Sequence, residues 1–373
     1  MDRRAFLQLS SLAAAGLAVP RAVGVQPSPA PARPWPSPFD SAPVVQCPTP
    51  TGVTIVTAVS AATTAWVEYG ETAALGERAE GAQHGLCSFN ARVHHVRLED
   101  LKPGMRYCYR VGLCPIDFKG PYKIGRGEPV FGETYAFTTL DEGRGAQASF
   151  SVINDTHENR DTLALVTARL AKAATGLTFW NGDIFNDIRN DEQIVSQVLR
   201  PADSAYAAAT PMCFVSGNHD VRGVHARCLD WFIAVPENRR YRLMRHGPVA
   251  ILVLDTGEDK PDDHPVYAGL NAFAPYRETQ RTWLERAVKS ESWRSAAFRV
   301  AIFHIPLWGK GASEDSRAKW HPILDAAGTD VVINGHIHKH SYTPADADHR
   351  YAQLIGGGPD PAAATVIHAL ADT

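Results

Sequence analysis

The chain has 373 residues, 45% of them hydrophobic and 21% charged, with a formal net charge of -3. That composition is globular and excludes a disordered or collagen-like chain, and at roughly 100 to 200 residues per domain the length allows two domains. Thirty-seven basic against forty acidic residues leave no general cationic surface to neutralise the phosphates of a nucleic-acid duplex, so duplex binding is not expected.

Residues 1–26 read as an export signal. Asp2, Arg3, Arg4, Ala5, Phe6 and Leu7 are followed by an uncharged, mostly apolar stretch to Val19, then by Pro20, Arg21 and the small residues Ala22 and Gly24. This is the three-part layout of a secretory signal. The stretch is well short of the roughly 20 residues a membrane-spanning helix needs, and no later segment is long enough, so no span is expected in the mature protein. The paired arginines resemble a bacterial twin-arginine signal, which implies the twin-arginine export machinery as a partner and a periplasmic or secreted location. Residues 27–43, PSPAPARPWPSPFDSAP, are too rich in proline for a helix or a central strand and read as an extended linker, with the folded part beginning near Val44.

From 44 to 140, short alternating runs are separated by Gly, Pro and Asp turns: Gly52 to Val56, Thr64 to Tyr69 and Val93 to Leu98. Period-two patterning at this spacing predicts a β-sandwich. The run Leu101 to Val111 enters a strand through Pro103-Gly104, with Tyr107 placed to hydrogen-bond back across the corner. The arrangement resembles fibronectin type III modules. Four of the six cysteines, Cys47, Cys87, Cys108 and Cys114, lie here; in an oxidising compartment they allow up to two bridges by any of three pairings.

After Ala146 the rhythm changes to buried strands alternating with helical segments, an α/β pattern occupying 147–373. Strands are predicted at Ser149–Asn154, Leu177–Asn181, Met212–Ser216, Ala250–Asp255, Arg299–His304, Asp330–Asn334 and Tyr351–Ile355, with amphipathic helices over Asp161–Ala174 and Arg277–Lys289. Five of these strands end in polar clusters: Asp155-Thr156-His157, Gly182-Asp183, Gly217-Asn218-His219-Asp220, His304, and Gly335-His336-Ile337-His338. The carboxyl ends of strands in open α/β sheets are where ligands collect. Carboxylate, amide and imidazole without thiolate suit borderline to hard transition ions.

The ordered set resembles the calcineurin-like metallophosphoesterase superfamily, which runs DxH, GDxx, GNHD or GNHE, a lone His, and GHxH. With the sandwich before it, the domain order is similar to that of purple acid phosphatases. The resemblance implies an α/β/β/α catalytic sandwich and two transition-metal ions (Fe, Mn or Zn). Asp155, His157 and His338 would hold one ion and Asn218, His304 and His336 the other, with Asp183 shared between them. It implies hydrolysis of a phosphate ester by hydroxide held between the ions, with His219 facing the substrate to stabilise charge or protonate the departing alkoxide. Phosphomonoesters are preferred on domain order, with phosphodiesters the alternative and a non-catalytic, metal-retaining binding protein a rival. Purple enzymes have DxG where this chain has Asp155-Thr156-His157, and a tyrosinate ligand where it has Asn186, which implies a protein without the purple colour.

In the phosphoprotein phosphatases that the set resembles, a carboxylate three residues after the GD aspartate orients the substrate-facing histidine; that position is Asn186 here, with Asp187 next to it, so the resemblance leaves the orienting partner open. Arg222 and His225 follow the GNHD loop; a solvated loop charge is the plainer reading of both, contact with substrate the other. The acidic, aperiodic segment Asp255 to Phe273 and the stretch Trp308 to Trp320 read as walls of the site. His340 is expected to support the cluster or lie at the surface, and Cys213 to pack in the core.

Overall fold

A computed structural model describes residues 38–143, 147–201 and 206–371. The expected signal and most of the expected linker lie outside these residues. No helix among the described residues is long and apolar enough to cross a membrane.

An N-terminal β-rich region is followed by two face-to-face sheets with helices outside them. The first sheet has seven strands in the spatial order 367–371, 148–153, 177–181, 212–215, 44–49, 52–58, 93–98. The second has six, in the order 242–246, 249–253, 298–302, 331–334, 352–355, 341–343. Val152, Phe179, Cys213 and Val215 from the first meet Ile251, Val300, Ile302 and Ile333 from the second in one buried core. These strands are apolar on both faces because each sheet is covered twice. Outside the first sheet, Leu163, Val166 and Leu170 of helix Arg160–Ala173 pack on Ile153 and Trp180. Outside the second, Leu284, Trp293, Trp320 and Leu324 pack on Leu252, Ala301 and Val332.

The seven predicted strands of the α/β region form within two residues of their expected bounds, and the two predicted helices are observed at Arg160–Ala173 and Phe273–Ala287. Beyond Ser313 the stretch read as a site wall is a helix, Glu314–Ala326, whose N-terminus is capped by the Ser313 hydroxyl. Pro322 within it and its mixed Trp and His content hide the helical period. Segment 255–273 is irregular apart from one short turn at Pro265–Tyr267.

The N-terminal sandwich shares its first sheet with the α/β region. Strand Val44–Thr49 pairs antiparallel with Gly52–Ala58 on one side and parallel with Met212–Val215 on the other, Gln46 opposite Met212. Its second sheet centres on Arg106–Gly120 and Thr63–Gly70. Val45, Ile55, Val67, Tyr109 and Leu113 fill the space between the two. The Tyr107 hydroxyl accepts from the Lys102 amide at 2.9 Å, the corner contact expected from sequence. Residues 39–43 belong to the fold rather than to the linker, because Phe39 is buried in the sandwich core and Asp40 accepts two 2.7 Å bonds from Arg200. The Tyr109 hydroxyl donates to the Ala208 carbonyl at 2.7 Å, a further stitch between the two regions. All six cysteines are free thiols, so none of the three pairings is formed, and Cys213 is core packing.

Candidate metal centre

The polar clusters converge where the carboxyl ends of both sheets meet. Asp155, His157, Asp183 and His338 present ligand-type atoms that all lie within 4.8 Å of one another, and so do Asp183, His304 and His336, with Asp183 common to both groups. Asn218 joins the second group through its Oδ1, 2.9 Å from Nδ1 of His336. All seven residues expected at the site are therefore together.

Backbone geometry builds this meeting point. Asp155, His157, Asp183, His336 and His338 all have positive φ, between 45° and 72°. The left-handed region costs a non-glycine residue roughly 1–3 kcal/mol and persists where surrounding bonds impose it. Those bonds are present: Asp155 and His157 amides donate to the carbonyls of Gly182 and Asp183 at 2.9 and 3.0 Å, and the Gly335 amide donates to His304 at 2.9 Å. Gly335 is required because a Cβ there would lie 2.4 Å from Oδ2 of Asp155. That oxygen accepts from the Asn154 side chain at 2.5 Å and from the His336 amide at 2.8 Å, leaving Oδ1 buried with no hydrogen bond.

Two of the imidazoles are aimed by their other nitrogen. Nδ1 of His304 donates to the Asn181 carbonyl at 2.7 Å, which turns Nε2 toward Oδ2 of Asp183 at 3.0 Å. Nδ1 of His157 lies 3.2 Å from the Asn186 side-chain oxygen, so its Nε2 faces inward, 2.9 Å from Nε2 of His338. Nε2 of His338 lies 3.3 Å from Oδ1 of Asp155. Orientation of a ring through its second nitrogen is the usual support of a metal-binding histidine.

Electrostatics runs the same way. Burial opposes charge on His304, but Asp183 and then Asp155 outweigh it and push its pKa up to about 10. Burial likewise opposes charge on Asp155, yet the His304 charge, then the neighbouring rings of His157 and His338 and the Asn154 amide, hold its carboxyl well below the usual carboxylate range. Asp183 is lowered against burial, chiefly by His304. Burial, then the neighbouring His304 charge, bring His336 down to about 4. Buried carboxylates crowded against ring nitrogens, with Oδ1 of Asp155 lacking a hydrogen bond, form a donor set suited to cations that accept both oxygen and nitrogen. The residues fit a pair of such ions.

The remaining candidates divide. Asn186 belongs to the site: its side chain supports His157 and its carbonyl accepts Nδ1 of His219 at 2.7 Å. Asp187 does not reach His219; it takes a 2.5 Å bond from Arg189. His225 faces Asp191 at 3.5 Å on the loop surface. Arg222 is clamped to the buried Glu258 and touches His219, so the reading of it as a solvated loop charge is wrong. His340 donates to the Ile355 carbonyl at 2.9 Å.

Sequence reasoning missed two kinds of support. In the sequence Asp220 stands only as the end of the GNHD loop. Its carboxylate accepts amides from Gly217, Asp183, Ile184 and Phe185 at 2.8 to 3.2 Å and ties two loops together. Burial and the Asp183 charge push its pKa up to about 7 against those donors. Asn154, Asn181 and Asn334 are all buried at strand ends. Asn334 donates to the Phe303 carbonyl at 2.8 Å, and Asn154 to Gly357 at 2.7 Å. The signal was available: an asparagine directly precedes Asp155, Gly182 and Gly335.

Comparison with known proteins agrees with this geometry. A family model described as calcineurin-like phosphoesterase matches residues 148–340. Purple acid phosphatase 21 of Arabidopsis thaliana is 22% identical over 263 residues, 67% of this chain and 53% of that protein; the chain thus spans about half the length of that relative. Among solved structures, the purple acid phosphatase PPD1 from yellow lupin (Lupinus luteus) seeds aligns with a TM-score of 0.64 at 13% identity, covering 86% of this chain and 65% of that one. PhoD aligns with a TM-score of 0.61 at 14% identity, covering 88% and 78%. At such identities the two structures speak to the fold alone. The family match covers more than half of the chain and the strand-end clusters lie within it, so this protein belongs to the calcineurin-like phosphoesterase family.

Proposed function

We propose that the protein is an exported, dinuclear, metal-dependent phosphoric ester hydrolase that prefers phosphomonoesters. The observation that carries the reading is the sharing of Asp183 between two convergent groups of ligand-type atoms. Asp155, His157 and His338 would hold one divalent ion, Asn218, His304 and His336 the other, and Asp183 both. Held there, such ions would supply charge to neutralise phosphoryl oxygens and hydroxide from water near neutral pH.

The chain's own part is to aim and to shield. Asn181 and Asn186 fix the rings of His304 and His157. Asp220 fixes the loop that carries Asp183, whose Oδ1 accepts the His219 amide at 2.8 Å. The His219 ring packs edge-on at 4.7 Å from that of His157, on the side from which a substrate would approach. Two carboxylates at the centre leave a pair of divalent ions with a net positive charge, which attracts a phosphate.

Monoester preference rests on the domain order, and two of the similar proteins are phosphatases by name. Export rests on the residues before Pro20, Arg3 and Arg4 among them. Steady-state rates on an aryl phosphate and a bis-aryl phosphate, with native protein of measured metal content, test the reading. A diester rate tenfold or more above the monoester rate reverses the preference. Metal-replete protein that hydrolyses neither ester supports the binding-protein rival.

A further inference from the structure

The ring of His219 is held from both sides. Nδ1 lies 2.7 Å from the Asn186 carbonyl oxygen, and Nε2 lies 2.9 Å from Nη1 of Arg222. A carbonyl oxygen only accepts, so Nδ1 carries a hydrogen; a guanidinium only donates, so Nε2 presents its lone pair. A ring bound in this way has no proton on the nitrogen nearest the guanidinium.

Arg222 is itself set in a frame. Its Nε and Nη2 donate to the two oxygens of Glu258 at 2.8 Å each, and Nη2 donates again to Asp259 at 3.1 Å. The Glu258 side chain is 2% exposed and that of Arg222 26%. A paired, planar fork of this kind fixes the direction of a guanidinium as well as its position. Four of its five N–H groups are thereby used, and the fifth, on Nη1 beside His219, has no recorded protein partner among the described residues. The backbone is pinned too, with the Ile188 amide donating to the Arg222 carbonyl at 2.9 Å. Glu258 comes from the loop after strand 249–253 and His219 from the loop after strand 212–215, so the frame is fastened to both sheets.

We propose that Arg222, clamped by Glu258, holds a non-bridging phosphoryl oxygen of the substrate, and that His219 aims the guanidinium as an acceptor instead of protonating the leaving group. The inference rests on the phosphoric ester reading above. In the reaction the attacking oxygen forms the new bond to phosphorus, the ester P–O bond breaks, and the departing oxygen takes its proton from solvent. Arg222 is the residue that touches substrate; Glu258 and His219 position it.

The test uses full-length, metal-quantified protein and aryl phosphates whose phenols span a range of acidity. Arg222→Ala is expected to lower kcat/KM by about 10- to 100-fold, the worth of one charge-assisted hydrogen bond. Added guanidinium ion is expected to restore part of it, and Glu258→Gln to show a smaller loss. His219→Ala should lower the rate by the same factor for every phenol. A His219→Ala loss concentrated on the least acidic phenols would mark this ring as the proton donor and overturn the proposal, as would an Arg222→Ala enzyme within twofold of the parent. Titration with inorganic phosphate separates the two layers. Weaker phosphate binding in Arg222→Ala, in a protein that cleaves no ester, supports the phosphate contact and removes only the hydrolase reading; unchanged binding removes the contact.

Discussion

Two buried histidines, one in the sandwich and one at the strand ends, end up with opposite charge preferences. His94 is 3% exposed and bonded through Nε2 to the Thr63 hydroxyl at 3.1 Å; burial, aided by the neighbouring His95, brings its pKa down to about 4. His304 is fully buried as well, yet two carboxylates drive its pKa up to about 10. Burial alone therefore does not mark a functional histidine. A ring satisfied by a hydroxyl is structural, whereas a ring facing carboxylates that nothing else neutralises belongs to a site designed for positive charge.

The sharpest way to break that contrast is Asp183→Asn, which keeps shape and removes the shared carboxylate. Turnover of an aryl phosphate should fall by on the order of 10³-fold or more, the equivalent of several kcal/mol of lost charge stabilisation. The thermal midpoint without added metal should stay within a few degrees, since Asp155 and Asp183 repel one another. Near-normal turnover would show that the strand-end cluster is not the reaction centre. Asn186→Ala removes the acceptor that aims His157. Loss of such a support costs about 10- to 100-fold in metal affinity, to be read by competition with a coloured chelator.

On the sandwich side, the pH dependence has a definite sign. Between about pH 4 and 6.5 the unfolded chain binds a proton at His94 that the folded chain refuses. Stability there must rise with pH and be lost on acidification, by up to about 3 kcal/mol from this one group. Urea unfolding at pH 7, 6, 5 and 4 should show a shallower slope for His94→Gln than for the parent; parallel slopes would remove the assignment. The smallest expected effect is Tyr107→Phe, which leaves the Lys102 amide without its acceptor. It should cost about 1 kcal/mol of stability in urea titration and leave kcat unchanged.

The site was more legible than the fold around it. Asp155, Asp183, Asn218 and His336 each follow an apolar run by one or two small or polar residues, so strand ends and chemistry were written in the same short windows. Supports that act across the chain left weaker marks. Asp220 sits 37 residues from the amide of Asp183 that it holds, and no local pattern reveals such a bond. Arg222 looks like a solvated charge in the sequence because its partner, Glu258, lies 36 residues away in an aperiodic loop. The same limit hid the joint sheet. Strand 44–49 looks like any sandwich strand, and nothing within it announces Met212 as a neighbour. Strands 242–246 and 367–371 were missed because they lie at sheet edges and carry arginine and histidine among their apolar residues.

The pairing of Gln46 with Met212 also bears on how such a protein can be inherited or engineered. In an ordinary two-module chain the first module can be excised, swapped or moved to another gene, because few contacts cross the boundary. Here excision would lay bare the amide and carbonyl groups of Met212–Val215, a strand of the α/β region now covered by Val44–Thr49, and create a sticky edge in the middle of the molecule. The front of this chain is thus a permanent lodger: it and the α/β region have to be copied and folded together.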